Sequence, residues 1–274
     1  MQKKAQMVFF MLAAVIVLLL ISYGLWLIKV RTIEPIKKEL PSQQALGDVA
    51  AVSAFVTSCV QQTLNDALIL FGLVGGKTGY FVEFFPYDPK YQIPYYFVTN
   101  NDLSPGRDLS PSKADLEEKI LARYMNNHLR ECTAGFRNVK GLVVEDGVVS
   151  AQVGLNAKDV SAKVSYPVTV IQGNKRTVFD IFAVKIPSRL STMLDVSHNI
   201  VKKAQEHEDI VYWDFLTDVT NMCEVLTDPR GDPCLNITAH AERDNTIVYR
   251  IIDPQSKVYF EPYFFQFAVK VRVK

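Results

Sequence analysis

The chain of 274 residues contains no H-E-x-x-H, no C-x-x-C, no G-x-S-x-G and no glycine-rich loop placed to open a helix. Zinc hydrolysis, dithiol exchange, serine hydrolysis and nucleotide binding each need one of those arrangements, so none of these chemistries is expected. The four histidines (His128, His198, His207, His240) show no short ligand spacing, and no metal or cofactor is expected. Charge of one sign is also missing: 30 Lys and Arg face 29 Asp and Glu, for a net +1. A nucleic-acid partner, which would show as a basic surplus, is therefore not expected. No repeat of fixed period is present.

What is present in abundance is apolar sequence. Residues 7–28 run for 22 positions without a charge, with only Ser22 and Gly24 interrupting the apolar and aromatic residues. At 1.5 Å rise per residue a helix of this length reaches about 33 Å, against about 30 Å for a hydrocarbon core. A secretory signal has a shorter apolar core of about 7–15 residues followed by a small-residue cleavage site. This run is longer and no A-x-A-like site follows it, so it is expected to stay as a transmembrane helix in contact with membrane lipid. Tyr23, Trp26 and Lys29 stand at its far end as interfacial anchors.

Two signals bear on orientation, and they disagree. Lys29, Arg31, Lys37 and Lys38 outnumber Lys3 and Lys4, which by the positive-inside rule would hold the large domain in the cytoplasm. Against this stand four cysteines (Cys59, Cys132, Cys223, Cys234), an even number that suits two disulfides in an oxidising compartment. The acceptor sequon Asn236-Ile237-Thr238 points the same way. The rule weakens for long domains, so the expectation is a single-pass protein of the cell membrane with its C-terminal domain outside.

The residues before the helix, Lys3-Lys4-Ala5-Gln6, resemble the class III signal peptide of archaeal type IV pilin-like proteins. The resemblance implies cleavage between Ala5 and Gln6 with the helix retained; a plain anchor would keep Lys3 and Lys4. A glutamate often found early in that family's helix is absent from residues 7–10. A second resemblance, carried by "CVQQTLNDALILFGLVGG", "YPVTV" and the terminal "FAVKVRVK", is to uncharacterised membrane-anchored proteins of small-genome archaea. It implies the same topology and no activity.

The expected organisation is a basic leader (1–6), the transmembrane helix (7–30), a linker (31–46) containing Pro35 and Pro41, and an extracytoplasmic α+β domain (47–274). At 49% hydrophobic and 22% charged, the chain is expected to build a packed domain and not a disordered one. Apolar residues spaced three or four apart from Val49 to Phe71 predict a helix ending near Gly72, with Gly75 and Gly76 beyond as a stop. Ser112 and Asp115 have the spacing of a capping box, opening a helix whose stripe is Leu116, Ile120, Tyr124, Leu129 and Cys132. Cys59 and Cys132 thus lie on the buried faces of two helices and are the natural bridge, leaving Cys223 with Cys234, although four cysteines allow three pairings.

Strand patterns begin near Lys140. Asp146-Gly147 between valine-rich runs predicts a two-residue hairpin, and further hairpins are expected at Gly173-Asn174 and Asp244-Asn245. Helices are expected from Arg189 to about His207 and around residues 214–226. Hairpins imply antiparallel pairing, so the fold expected is α+β, an antiparallel sheet packed on one face by helices.

Candidate binding residues are few. Residues 79–97 hold nine aromatics in nineteen positions, broken by Pro86, Pro89 and Pro94. Such rings normally fill the space between sheet and helices; Tyr87, Tyr91 and Tyr95, which flank the prolines, are the candidates for an exposed sticky surface. The Glu206-His207-Glu208-Asp209 cluster reads as a solvated helix end, and Arg230-Gly231-Asp232 between two prolines reads as a turn. The function expected is binding or assembly: a surface structural, adhesive or pilin-like subunit with protein partners or self-assembly. An accessory subunit of a membrane transport or secretion complex and an enzyme of unrecognised type are the alternatives. Under the pilin-like resemblance, terminal sequencing of the native protein returns Gln6 as first residue; Met1 or Gln2 would mark an uncut anchor.

Overall fold

The computed structural model describes residues 49–76, 83–88, 91–99, 105–137, 139, 141–206 and 235–272. All fall in one unit of the chain, Gln44–Lys274. The leader, the apolar run and the linker lie outside the described residues, as do the 214–226 helix and the Arg230-Gly231-Asp232 turn; among the described residues no helix is long and apolar enough to cross a membrane.

The domain is α+β. Helix α1 (Val49–Leu73) leads into β1 (Phe84–Asp88), β2 (Tyr91–Val98) and the short β3 (Arg107–Asp108). A π-helix (Asp115–Ala122) continues into α2 (Arg123–Thr133). Then come β4 (Val143–Asp146), β5 (Ser150–Leu155), β6 (Asp159–Gln172), β7 (Lys175–Pro187) and α3 (Leu190–Glu206). β8 (Asn236–Ala241), β9 (Thr246–Val258) and β10 (Glu261–Lys270) follow. There are two sheets where the sequence suggests one. The first runs β1-β2-β10-β9-β8 with β3 on β2, and the second centres on β6. The first is mixed, because β2 runs parallel to β10.

Helix α1 lies against both sheets, touching β10 and β9 of the first and β6 and β7 of the second. Val52, Val56, Cys59, Val60, Leu64 and Leu68 are fully buried. The sheet side of its C-terminal half is aromatic: Phe71 stacks on Phe265 at 5.6 Å, and Tyr96 on Phe267 at 4.7 Å. Three of the last four carbonyls of the helix, at Leu70, Phe71 and Leu73, find donors beyond its end. Val74 N–H donates to Leu70, Gly76 N–H to Phe71, and the Gln266 side-chain amide to Leu73 at 2.7 Å. Gly75 and Gly76 are left-handed (φ 55° and 69°), as a helix stop requires. Gly72 is not the stop but a contact point: a Cβ there would stand 2.1 Å from the Phe264 carbonyl oxygen.

The Asp146-Gly147 hairpin does not form. β4 pairs with residues 168–171 of β6 and β5 with residues 160–165, while β7 pairs along both stretches. β7 therefore occupies one edge of β6, and β4 and β5 lie end to end on the other. The chain passes between them where β6 bulges at Tyr166 and Pro167, and Gly147 N–H donates to the Pro167 carbonyl (2.8 Å). Asp146 is held there by the Tyr166 hydroxyl (2.7 Å) and by Arg130 of α2 (2.9 and 3.1 Å). Burial pushes its carboxyl pKa up, but these donors outweigh burial and hold it below the usual range.

Two local devices fix the remaining elements. Ser112 and Asp115 form the reciprocal cap: Asp115 N–H donates to Ser112 Oγ (3.1 Å) and Ser112 N–H to Asp115 Oδ2 (3.3 Å). In the β9–β10 pair, Lys257 stands opposite Pro262 and Asp253 opposite Tyr263, so residues 254–256 bulge out. The bulge turns Asp253 and Ser256 toward the start of α3. Arg189 N–H donates to Ser256 Oγ (2.9 Å), the Ser256 hydroxyl donates to Asp253, and Arg189 holds the Asp253 carboxylate through Nε (3.1 Å) and a terminal nitrogen.

That ion pair generates a pH prediction. Asp253 is fully buried. Burial raises its pKa, but hydrogen bonds from Arg189, Ser256 and the Gln255 N–H bring it below the ordinary value. A depressed carboxyl contributes stability above the unfolded pKa of about 4 and loses it as pH falls through the folded value. Asp253→Asn strands the Arg189 charge and is expected to destabilise by about 3 kcal/mol at neutral pH. The gap in denaturation midpoint between wild type and variant should narrow as pH drops below about 4; a gap constant with pH would show that the pair contributes nothing through charge.

Candidate functional site

The seam between α1 and the helical run opposite it carries the site. Cys59 of α1 and Cys132 of α2 are joined by a disulfide, with Cα atoms 5.6 Å apart. Beside it, Cys132 Sγ lies 3.8 Å from Gln62 Oε1. The Tyr259 hydroxyl reaches across from the β9–β10 turn, donating to Asp66 Oδ1 at 3.0 Å with the Gln62 carbonyl at 3.4 Å. Burial, and then the negative charge of Asp66, raise the Tyr259 pKa, so this phenol stays protonated and donates. Burial also raises that of Tyr124, with Asp66 and Glu131 adding to it.

Farther along the seam the two walls part, leaving a cleft of about 340 Å³. Ala67, Leu70 and Phe71 of α1 line one side and Ile120 and Leu121 of the π-helix the other. Four-residue spacing sets two stripes along the second wall, Lys119, Arg123 and Asn127 beside Ile120, Tyr124 and His128. The Tyr124 and His128 rings lie 4.2 Å apart between centroids. Lys119 pairs with Asp115 at 2.5 Å and His128 Nδ1 lies 3.1 Å from Glu131. No acidic residue is among those lining the cleft. An apolar floor under a rim of donors and positive charge suits an apolar group that carries or adjoins an anion. The π-helix that supplies the rim is a rare element, one frequently found at functional sites.

A second concavity lies on the face of the β5-β6-β7 sheet, where Gly154, Ser161 and Ala183 form a shallow base beside Lys163 and Lys185. Among the described residues no cluster of three or more His, Cys, Asp or Glu is placed to hold a metal.

The residues singled out from sequence are dispersed. Cys59 and Cys132 meet at the seam. Cys223, Cys234, Ala5 and Gln6 lie outside the described residues. Asn236 is exposed at the start of β8, the outer strand of its sheet, so the sequon faces solvent. Tyr87 and Tyr91 belong to β1 and β2, but their side chains lie outside the described set. Tyr95 is corrected. It is 8% exposed, packed with Phe85, Ile93 and Val248, and its hydroxyl meets Thr246 Oγ1 at 2.8 Å, so it offers no binding surface. Tyr95 and Tyr96 are both buried because β2 is covered on both faces, against the one-sided sheet expected. Sequence reasoning missed the cleft. Ile120 and Tyr124 read only as a core stripe, and nothing in the spelling of residues 115–122 announces a π-helix.

No protein-family model matches the chain, and no curated protein or solved structure matches it.

The disulfide closes a loop of 73 residues' separation. Closure of a loop that long stabilises by about 4 kcal/mol in the chain-entropy account. The Cys59→Ala/Cys132→Ala variant is expected to lose about 2–4 kcal/mol in denaturant unfolding, and non-reducing peptide mapping should recover the Cys59–Cys132 pair. Alkylatable thiols at both positions in the native protein would refute the bridge.

Proposed function

We propose that the protein is anchored by residues 7–28 with its α+β domain outside the cell, and that it works by binding or assembly as a pilin-like or adhesive surface subunit. The observation that carries this reading is the Cys59–Cys132 disulfide. Such bonds persist in oxidising compartments, and the apolar run preceding α1 has the length to hold the domain at the membrane surface. The exposed sequon at Asn236 supports the same side of the membrane.

The seam supports binding over catalysis. Its Tyr259 donates to Asp66, and the Tyr259 and Tyr124 phenols, with raised pKa values, stay protonated, while the adjoining cleft is apolar with a donor rim and no acid in its lining. A binding surface of this kind recognises shape and charge and needs no reacting group.

Protease added to intact cells is expected to digest the domain while the apolar segment stays in the membrane fraction after an alkaline wash. Protection in intact cells with digestion only after lysis would place the domain inside and overturn the reading. Purification from native membranes under mild detergent should yield high-molecular-weight assemblies of the chain; recovery with other membrane subunits would favour an accessory role.

A further inference from the structure

One residue in the domain has a conformation and an exposure that folding does not call for. The β9–β10 turn consists of Tyr259 and Phe260, with Glu261 facing Val258 across it. Both turn residues are left-handed, φ 50° and 72°. Two-residue turns of this kind favour Asn-Gly or Asp-Gly, and a bulky side chain is an outlier there. Tyr259 is tied down by its hydroxyl bond to Asp66. Phe260 is 91% exposed, the most exposed large apolar residue described. The turn is thus pinned by one aromatic so that the next stands in water.

We propose that Phe260 is an anchor that seats in the α1/α2 cleft of a second copy of this chain. An exposed aromatic on a rigid turn loses little side-chain freedom on binding and fits the profile of an interface hot spot. The cleft offers Ala67, Leu70 and Ile120 as an apolar receiver, and Leu70 is itself exposed. Charge is complementary. Glu261, exposed beside Phe260, matches Arg123 on a rim with no acid in the lining, where Lys119 is already paired with Asp115, while Lys257 lies farther from the tip. Anchor and receiver share one side of the domain, since Tyr259 is bonded to Asp66, the neighbour of the cleft residue Ala67. Surfaces so placed can engage reciprocally, each copy giving its Phe260 and receiving the other's, which is the two-fold, closed form of contact.

This pairing rests on the assembly reading above but fails separately from it. The test places a photo-reactive benzoylphenylalanine at position 260 of the full chain and irradiates native membranes. A dimer-mass adduct mapping to α1 residues 67–71 or to residues 119–128 is the expected result. Adducts to lipid or to a different protein, or no adduct, would overturn self-pairing while leaving a binding domain; protection from protease in intact cells would overturn the surface reading whatever the adduct. In labelled full-length chains in detergent, energy transfer should show Phe260→Asn weakening dimerisation about thirtyfold, the scale of a hot-spot residue. The same variant should fold with equal or higher melting temperature, because Asn tolerates the left-handed turn. Glu261→Arg and Arg123→Glu should each weaken pairing and together restore it. Unchanged association in Phe260→Asn, or no rescue in the double variant, would overturn the proposal.

Discussion

One helix serves as core to two sheets, and the remaining architecture follows from that constraint. α1 buries a broad stripe from Val52 to Gly72, with which it meets β9 and β10 of one sheet and β6 and β7 of the other. Its end comes so close to β10 that only glycine fits at position 72. Alanine is the better helix former by about 1 kcal/mol, so the choice at 72 is set by the approach of the Phe264 carbonyl and not by the helix. The same closeness lets Gln266 and Tyr263 of β10 reach carbonyls of α1, at Leu73 and Leu68. Packing distance and polar satisfaction are therefore solved together.

The other helices are held by polar ties. α2 is joined to α1 by the disulfide and to the second sheet by Arg130 on Asp146. α3 is joined to β9 by Arg189 on Asp253 and to the segment before the π-helix by His198, whose Nε2 donates to the Pro111 carbonyl at 3.0 Å. A buried ion pair adds less net stability than apolar groups of the same volume would, since both charges must leave water. What it adds is a defined partner. Only one arrangement of the β9 bulge brings a carboxylate and a hydroxyl together at the start of α3.

Legibility in the sequence followed the range of each interaction. The Ser112/Asp115 cap, the Gly173 turn and the stripe of α1 are local, set within a few residues, and they stand where the pattern predicts. The Asp146-Gly147 pair misleads because the local signal is real while a 14-residue partner, β6, competes for both flanking strands and wins. The parallel β2–β10 pair joins segments some 170 residues apart, and no short pattern encodes it. Tyr95 reads as a surface residue because prolines break its run, yet Pro94 lies within β2, which is covered on both faces. Of the seam, the cysteine pair was legible from two helical stripes; the cleft was not, since it depends on how far apart the walls stand.

The β9–β10 turn shows why such a place is invisible to pattern reading. Sequence rules look for Asn or Gly where the backbone turns left-handed, and Tyr259-Phe260 offers neither. Each of these residues costs on the order of 1–3 kcal/mol relative to a permissive one, and a domain tolerates this only where the surroundings over-determine the conformation. Here they do: thirteen residues of β9 and ten of β10 clamp the turn from both sides, and Asp66 holds the Tyr259 hydroxyl. The strain at Tyr259 is offset by its own contacts. That at Phe260 is not, because a side chain 91% exposed contributes almost no burial. Asparagine at 260 would suit the turn better, so the residue's favourable contact must be sought beyond the described residues, and a second copy of the chain is the partner proposed. The disulfide bears on where: by fixing α1 to α2 it holds the cleft walls apart at a set width, and a receiver already formed makes binding a rigid ring less costly than one that must open.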